Sequence, residues 1–408
     1  MGRAVVFTYP DPSHVNSSLP VFAELVRRGE DVTIYSSTAY RDVIESAGAS
    51  FRSYYGVMSA SSTGPLGGLK RRLDFAEQVL PHLIEALSAD RPDYVLLDAA
   101  ANWGSVLAGF LQIPAISYRL TFALHREMLD AAEMVRRFYS NTPQEFALQG
   151  MLDAVGYYEA AQRIDRQYEA HTGDIPASLE CRCDLNLVMI PRALQMEVDR
   201  FDQSYRFVGP CLGAREELDE FDWNQLGTDP LIYISLGTVF NHRPEFFRTC
   251  MVAFDEVPVQ VVMSVGRRID PADLGPAPKN VLVTQFVKAP IAKMLERASL
   301  VIHHAGGNTV QECARAAVPQ LMYPQAGDQF ALADLVQQYG AGIRLNEGDI
   351  TATRIRELAA EIMSNPEYRS AAIALSALVR DSGGTAQACD EILRFALDKV
   401  QRPLPALK

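Results

Sequence analysis

Short apolar runs alternate with longer stretches in which apolar residues recur at helical spacing, and this pattern predicts strands separated by helices. In the first half of the chain the predicted strands are residues 3–8, 32–35, 51–54, 94–97, 185–190 and 205–208. Glycines 29 and 48 are expected to end the first two helices. This alternation is typical of a doubly wound parallel sheet, in which ligands bind at the carboxyl ends of the strands.

The second half repeats the pattern and indicates a second α/β domain. Its predicted strands are a run ending at Ser235, then 259–264, 281–283, 300–302 and 320–323. The tail from about 352 to 400 has helical spacing, with Gly383-Gly384 between two helices. We therefore predict an N-terminal domain at 1–210, an acidic linker at 211–229, a C-terminal domain at 230–380 and a final helical segment at 381–408.

Residues 299–329 contain the strongest candidate for a ligand site. A strand, two histidines, a glycine turn, a helix and a second strand follow one another there. The polar and glycine residues of interest are His304, Gly306, Gly307, Asn308, Thr309, Glu312, Asp328 and Gln329. A glycine turn before a helix brings backbone N–H groups and the positive helix end close to an anion. We expect that anion to be a diphosphate.

The side chains around this turn predict further contacts. His304, Asn308 and Thr309 can donate to phosphate oxygens, although Asn308 and Thr309 can instead cap the helix. Glu312 lies about one turn into the helix, where a carboxylate can accept two ribose hydroxyls. The pair Asp328–Gln329, after the next strand, suits the hydroxyls of a sugar. The alternative is an ordinary βαβ unit with a glycine turn and a hydrogen-bonded histidine.

Two residues at strand ends of the first domain predict acid–base chemistry. His14 is expected in the loop after the first strand, where a histidine can take a proton from a hydroxyl. Ser17 or Ser18 would then cap the following helix, and the alternative is that His14 itself caps it. Asp98 ends the strand 94–97 and could orient His14. Its alternative role is to cap a helix beginning near Trp103.

Composition excludes several classes of protein. The formal net charge of −12 argues against a general nucleic-acid binder, which would show a basic face. The chain has no signal-peptide pattern and no apolar run of about 18 residues, so we expect a cytoplasmic protein without stable membrane insertion. Its six cysteines lack zinc spacing and are interpreted as reduced thiols. The basic run 70–72 is interpreted as a solvated face.

The stretch from His304 resembles the donor-binding signature of the family 1, inverting glycosyltransferases of the GT-B fold. Counting from His304, that signature places a glutamate at +8, prolines at +15 and +20, and an acidic residue plus glutamine at +24 and +25, which here are Glu312, Pro319, Pro324, Asp328 and Gln329. Asn308-Thr309 stands where many members have Asn-Ser. The resemblance is greatest to the bacterial macrolide glycosyltransferase branch and extends over nearly the whole chain.

The resemblance implies two Rossmann-like β/α/β domains facing each other across a cleft, with the last helix crossing back to the first domain. The first domain would bind the acceptor, with His14 as the base and Asp98 as its support. The turn containing Ser235, Gly237 and Thr238 would contact the donor phosphates. Residues 56–80 and 119–180 would form the acceptor pocket. None of the aromatic residues there is assigned individually: Phe122, Phe138, Tyr139, Tyr157 and Tyr158.

The nucleotide is less clearly indicated than the fold. Members that use UDP-sugars usually have Trp-Val-Pro-Gln where this chain has Phe286-Val287-Lys288-Ala289. Phe286 can still stack on a base and Val287 can offer backbone groups to its edge, but a phenylalanine is common among enzymes that use dTDP-deoxysugars. Asp328–Gln329 instead favours a sugar with free hydroxyls, as in glucose. We expect a UDP-hexose and keep a dTDP-deoxysugar as the alternative.

The expected activity is therefore transfer of a hexose from a nucleotide-sugar to a small hydrophobic acceptor, such as a macrolide, polyketide or phenol. No Asp-x-Asp pair is present to hold a metal, so transfer without a metal or cofactor is expected. The rivals are a sugar-nucleotide epimerase or hydrolase of the same fold, and an inactive helper to a partner glycosyltransferase. No G-x-G-x-x-G follows a predicted strand, which disfavours a dehydrogenase. The type of linkage and the oligomeric state, including a homodimer, stay open.

Overall fold

The computed structural model describes residues 2–56, 58, 64–128, 144–211, 219–237, 241–325 and 327–400, apart from the side chains at 64–66, 144–151 and 400. The described residues form two compact units. The first unit takes its residues from 1–189, 195–213 and 383–408, and the second from 190–194 and 214–382. Each unit contains its own parallel sheet.

The first unit is built around seven parallel strands. They are β1 (Arg3–Phe7), β2 (Asp31–Ser36), β3 (Ser50–Ser53), β4 (Tyr94–Asp98), β5 (Ala115–Arg119), β6 (Leu185–Val188) and β7 (Tyr205–Phe207). Their order is β3-β2-β1-β4-β5-β6-β7, and Phe7 pairs with Leu97 where β1 lies beside β4. The strand order reverses between β1 and β4, and in sheets of this kind ligands bind at that switch point.

Helices cover this sheet on both faces. They are α1 (Pro12–Arg27), α2 (Arg41–Ser46), α3 (Gly64–Ala89), α4 (Trp103–Leu111), α5 (Gln144–Tyr168) and α6 (Ile175–Glu180). One core cluster contains side chains of α3, α4 and α5, among them the fully buried Trp103 and Tyr157. A second cluster contains side chains of α1 and α2 with the other face of the strands. Both faces of the sheet are therefore buried, as the apolar runs predict.

The second unit contains six parallel strands and six helices in its described residues. The strands are β8 (Leu231–Ser235), β9 (Gln260–Ser264), β10 (Val281–Thr284), β11 (Ala298–His303), β12 (Gln320–Met322) and β13 (Gly342–Arg344). The helices are α7 (Pro244–Phe254), α8 (Ile291–Arg297), α9 (Gly307–Arg315), α10 (Gln329–Gln338), α11 (Ala352–Ser364) and α12 (Pro366–Arg380). The strand order β10-β9-β8-β11-β12-β13 has its switch point between β8 and β11. The predicted fold class, two Rossmann-like α/β domains, is confirmed.

The final helix, α13 (Gly384–Val400), belongs to the first unit. Its buried residues Ala388, Cys389 and Ile392 lie in the same core cluster as residues of α1. Arg28, after α1, pairs with Asp390 at 2.5 Å, and Arg206 pairs with Glu391 at 3.1 Å. The first unit is thus assembled from both ends of the chain.

Shorter features complete the fold. Single turns of 3-10 helix occur at Thr38–Tyr40, Arg126–Met128, Arg192–Leu194, Val198–Arg200, Trp223–Gln225, Pro271–Leu274 and Glu347–Asp349. Two strands were missing from the sequence prediction, β5 and the three-residue edge strand β13. In the described part of the chain no helix is long and apolar enough to span a bilayer.

Candidate active site

His14 and Asp98 meet at the switch point of the first sheet. Nδ1 of His14 lies 2.7 Å from Oδ2 of Asp98, which ends β4 and is 2% exposed. The other carboxylate oxygen of Asp98 accepts the backbone N–H of Ala100 at 2.8 Å. Both oxygens are therefore engaged, so the carboxylate has a fixed orientation towards His14. Asp98 does not cap α4, whose N-terminal flanking residue is Asn102.

The position of His14 differs from the sequence prediction. It lies in the first turn of α1 and not in a loop, because the helix begins at Pro12. The side chain of Asp11 caps this end by accepting the N–H of Ser13 at 2.9 Å, and proline suits the first helical position. The prediction that Ser17 or Ser18 caps α1 is wrong. Ser18 is buried inside the helix, where its hydroxyl donates to the His14 carbonyl at 2.9 Å.

The electrostatics of His14 favour a base that is oriented and accessible. Burial opposes its positive charge, but the charge of Asp98 and the hydrogen bond that His14 donates to it outweigh burial and raise the pKa of His14 above its ordinary 6.5. In the neutral imidazole, Nδ1–H would donate to Asp98 and leave the Nε2 lone pair free to accept a proton. The His14 side chain is 29% exposed, so a ligand can reach it.

Tyr9 lies beside the His14 ring, and two arginines contact Tyr9. The ring of Tyr9 lies 5.1 Å from that of His14, centroid to centroid. Arg71 donates from Nη2 to the Tyr9 hydroxyl at 2.6 Å, and the guanidinium carbon of Arg72 lies 5.6 Å from the Tyr9 ring centroid. The basic run 70–72 is not the solvated face that the sequence predicts, because the Nε atoms of both arginines are buried. Sequence reasoning missed these three neighbours of His14.

In the second unit, the ends of β8 and β11 bring four of the predicted donor-site residues together. Ser235 ends β8 opposite His303 of β11. A Cβ atom added to Gly237 would lie 2.5 Å from the His304 ring, and one added to Gly306 would lie 2.4 Å from it. The imidazole is thus held between two glycines. Gly237 has φ +74°, and its N–H donates to the Ser235 hydroxyl at 3.3 Å.

The two adjacent histidines have different surroundings. His303 is fully buried, and its Nδ1 accepts the N–H of Ala305 at 3.0 Å while Nε2 lies 3.0 Å from Oε1 of Gln320. Burial lowers the pKa of His303 to about 3 and that of His304 to about 4. Nδ1 of His304 is buried without a hydrogen-bond partner among the described residues. His303 is a structural residue, whereas His304 is a neutral ring with an unused polar atom.

The N-terminus of α9 faces the same turn. Gly306 precedes the helix and has no side chain to cap it. Asn308 and Thr309 do not precede the helix as caps but lie in its first turn, and Glu312 follows half-buried one turn later. The N–H groups and dipole of this helix end can receive an anion, as the sequence predicts. The individual contacts of these side chains with a ligand stay predictions.

Asp328 and Gln329 follow β12 and begin α10. Oε1 of Gln329 accepts the backbone N–H of Gln325 at 2.7 Å, and Gln329 is 7% exposed. Part of its hydrogen-bonding capacity therefore fixes the loop after β12. The predicted role of Asp328 and Gln329 in binding sugar hydroxyls stays a prediction.

Phe286 and Val287 follow β10, at the carboxyl end of the sheet. The Phe286 ring is 41% exposed, and the guanidinium carbon of Arg267 lies 5.3 Å from its centroid. Its backbone is fixed because the hydroxyl of Thr284 donates to the Phe286 carbonyl at 3.0 Å. Val287 packs against an apolar cluster of the second unit. An exposed ring on a fixed backbone can stack on a nucleobase.

Sequence reasoning missed one further residue beside Gly237. Asn241 is 3% exposed, and its Nδ2 donates to the Gly237 carbonyl at 2.8 Å. Its Oδ1 is buried without a hydrogen-bond partner in the described part of the chain. Asn241 therefore orients the Gly237 turn. The predicted phosphate ligand Thr238 lies outside the described residues.

The first unit also contains a cavity of about 690 Å³ beside α4. Its lining includes Asn102, Ser178, Phe110 and Tyr168. Asn102 donates from Nδ2 to the Ser178 hydroxyl at 3.0 Å, while its Oδ1 is buried without a partner among the described residues. The cavity therefore combines aromatic walls with an acceptor for a ligand hydroxyl.

The aromatic residues considered for the acceptor pocket fall into three groups. Phe122 and Tyr157 are buried, whereas Tyr158 is 49% exposed. Phe138 and Tyr139 lie outside the described residues. All six cysteines are free thiols, as predicted. Within the described ranges, no three His, Cys, Asp or Glu side chains are grouped so as to hold a metal ion.

Comparison with known proteins places this geometry among glycosyltransferases. Residues 248–383 match the family described as "Erythromycin biosynthesis protein CIII-like, C-terminal domain". The chain is 32% identical to the oleandomycin glycosyltransferase of Streptomyces antibioticus over 95% of this chain and 89% of that protein. It is 30% identical to the NDP-glycosyltransferase YjiC of Bacillus subtilis (strain 168), with 95% of each chain covered.

A solved structure extends the similarity to three dimensions. The crystal structure of the glycosyltransferase of kitacinnamycin matches with a TM-score of 0.85 and 29% identity. The match covers 97% of this chain and 99% of that one. Both units therefore have their counterparts in one known enzyme.

Proposed function

The chain belongs to the family 1 glycosyltransferases of the GT-B fold, and on that premise we propose the reaction it catalyses. It transfers a hexose from a nucleotide-sugar to a hydroxyl of a small hydrophobic natural product, with inversion at the anomeric carbon and without a metal. The observation that carries this proposal is the His14–Asp98 pair, 2.7 Å apart at the switch point of the first sheet.

In the proposed step His14 acts as the general base. Its Nε2 takes the proton of the acceptor hydroxyl while the acceptor oxygen forms a bond to C1 of the sugar. The bond between C1 and the diphosphate oxygen breaks, and the nucleoside diphosphate leaves with the electron pair. Asp98 keeps Nδ1 protonated and stabilises the imidazolium that forms. Attack opposite the leaving group inverts C1.

The leaving diphosphate is received by the second unit. The N-terminus of α9 and the neutral His304 ring are donors of the kind that stabilise a developing negative charge. Gly306, Gly307, Asn308 and Thr309 belong to this site, as does Thr238. Because these groups supply the stabilisation, the proposal requires no divalent cation.

The donor is a UDP-hexose in this proposal, with a dTDP-sugar as the alternative. The exposed ring of Phe286 supports base stacking in either case, since both nucleotides carry a pyrimidine. Glu312 lies one turn into α9, and the proposal assigns its carboxylate to the ribose hydroxyls. Asp328 and Gln329 favour a sugar with free hydroxyls, which supports glucose over a deoxysugar.

The acceptor is a hydrophobic natural product such as a macrolide, polyketide or phenol. The similarity to an oleandomycin glycosyltransferase supports this class.

The test is to compare the wild type with His14→Ala, using UDP-glucose, dTDP-glucose and a panel of aglycones. We expect His14→Ala to lower transfer by about 100- to 10,000-fold, the range for loss of a general base. Binding of UDP, measured by calorimetry, should stay within about threefold because the base does not contact the nucleotide. His82→Ala is the matched control, since His82 is exposed on α3.

The outcomes separate the proposed activity from its rivals. Full transfer by His14→Ala would contradict the base assignment. Turnover of the nucleotide-sugar without an acceptor would instead indicate the epimerase or hydrolase alternative. Nucleotide binding without any turnover, until a partner protein is added, would indicate a helper protein. A product with the anomeric configuration of the donor would refute inversion.

A further inference from the structure

Arg72 is a basic side chain near the proposed base, and the proposed reaction does not use it. Arg72 lies on α3 between the buried residue Leu73 and Arg71. Its guanidinium carbon lies over Tyr9, whose ring is 5.1 Å from that of His14. The positive charge of Arg72 is close enough to oppose protonation of His14. A fixed cation therefore lies beside the acceptor side of the site.

Arg72 differs from its neighbours in how its charge is balanced. Lys70 pairs with Asp74 at 2.6 Å, and Arg71 donates to the Tyr9 hydroxyl. Arg72 has no carboxylate partner among the described residues. Its Nε is buried and has no hydrogen-bond partner among them either. The Tyr9 ring offers it only a π face, at 5.6 Å.

A half-buried guanidinium without an anion is unfavourable, because burial removes solvation and arginine cannot lose its proton. An incoming anion would restore the missing interactions. A carboxylate suits a guanidinium better than a neutral oxygen does, because its two oxygens match two parallel N–H groups. A carboxylate therefore fits Arg72 better than a neutral acceptor group does.

We propose that Arg72 is a specificity-determining residue that binds a carboxylate on the acceptor, next to the hydroxyl that His14 activates. This inference rests on the proposed function, since it takes the first unit as the acceptor-binding unit. It narrows the acceptor class to hydrophobic compounds that carry an acidic group. Neutral acceptors of the same shape should bind more weakly.

The test uses two fluorescent probes of nearly equal shape, 7-hydroxycoumarin-3-carboxylate and its neutral carboxamide. Their binding to the full-length protein is measured without any nucleotide-sugar, so no donor phosphate can occupy the site. The wild type should bind the carboxylate about 10- to 100-fold more tightly, the range for a charged hydrogen bond. Arg72→Met should remove this preference and change the affinity for the carboxamide by about threefold at most.

Two further variants make the result specific. Lys70→Met removes a positive charge two positions before Arg72 on the same helix and should keep the wild-type preference for the carboxylate. Arg72→Lys keeps the charge but loses the planar fork, so it should give an intermediate preference. If thermal melting shows that Arg72→Met does not fold, the inference is judged by whether Arg72→Lys reduces the preference for the carboxylate. An equal loss of both probes, an unchanged preference, or a wild type that binds neither probe would overturn the inference.

Transfer from UDP-glucose to the same probes separates this inference from the proposed function. If the carboxamide accepts glucose and Arg72→Met changes transfer to both probes equally, the inference is refuted and the glycosyltransferase proposal still stands. If the binding preference depends on Arg72 but no nucleotide-sugar donates to any acceptor, the inference is supported and the glycosyltransferase proposal is refuted. The anion site would then stand without the proposed reaction.

Discussion

At the residue scale, two histidines lie in environments that shift their pKa values in opposite directions. Asp98 raises the pKa of His14, whereas burial lowers that of His304 to about 4. Near neutral pH, His304 is therefore an uncharged ring, while His14 takes up a proton readily. The first environment suits a base and the second suits a neutral hydrogen-bond donor.

The pH dependence of transfer should report the His14–Asp98 pair. A base must be unprotonated to act, so kcat/KM should rise with pH through the raised pKa of His14. Asp98→Asn removes the charge that raises this pKa and leaves burial, which lowers it. The acidic limb of the profile should then move to lower pH, while the maximal rate falls by about 100-fold or more.

The matched control for this profile is Asp93→Asn. Asp93 precedes β4 at the opposite edge of the sheet, where it accepts the N–H of Arg3 at 2.7 Å. Its substitution should leave the acidic limb in place. If the acidic limb of the pH profile does not move in the Asp98→Asn variant, the pairing of Asp98 with the base is contradicted.

The glycines around His304 should be intolerant of a methyl group. Gly237→Ala and Gly306→Ala each place a Cβ within 2.5 Å of the imidazole, and Gly237 also has φ +74°. The displaced ring should weaken UDP binding by about 10-fold or more, as expected for a lost hydrogen bond to a charged group. Gly348→Ala is the control, because a Cβ there meets nothing within 4 Å. Calorimetry with UDP measures the difference, and equal affinities in all three variants would contradict the site.

The residues that sequence reasoning found and missed differ in one physical respect. His14, Asp98 and Gly306 lie close after predicted strands, so the chain's own local pattern indicates the sheet edge they occupy. Arg72 and Asn241 are recognised only by their contacts: Arg72 lies over Tyr9, and Asn241 donates to the carbonyl of Gly237. Their roles depend on tertiary packing, which no local pattern contains.

At the element scale, apolar runs predicted the central strands well because those strands are buried on both faces. β5 was missed because its sequence AISYR includes polar residues, which the fold nevertheless buries completely. β13 has only three residues at a sheet edge, too few for a periodic signal. The start of α1 was misplaced because the Asp11-Pro12 cap was overlooked in favour of serines within the helix.

The final helix offers a matched pair of substitutions that tests its packing. Ile392 is fully buried in the core of the first unit, whereas Leu397 on the same helix is 63% exposed. Ile392→Ala should lower the free energy of unfolding by about 2–5 kcal/mol. Leu397→Ala should change it by about 0.5 kcal/mol or less. Denaturant unfolding measures both, and equal effects would contradict docking of α13 on the first unit.

At the scale of the whole molecule, the two units have separate sheets and cores, and each supplies different groups for the proposed reaction. The base belongs to the first unit and the diphosphate site to the second. A ligand that binds one unit therefore stabilises that unit directly. Its effect on the melting curve reports which nucleotide the second unit prefers.

Thermal melting should distinguish the nucleotides and test for a metal. UDP at about 100 times its dissociation constant should stabilise the fold by about 2.7 kcal/mol. The shift should be the same with magnesium and with EDTA, because the proposed site uses protein donors. A larger shift with dTDP would reverse the choice of donor, and a shift that requires magnesium would contradict metal-independent binding.

The first unit combines α1 with α13, which follows the second unit in the sequence, and this has a consequence for biosynthesis. Proteins made on the ribosome usually complete their N-terminal domain first. Here the core around α1 lacks Ala388, Cys389 and Ile392 until the last segment has been translated. The second unit, encoded between the two parts, can finish folding earlier. A chain truncated before residue 384 and released from the ribosome should therefore resist protease in its second unit while its first unit is still cleaved.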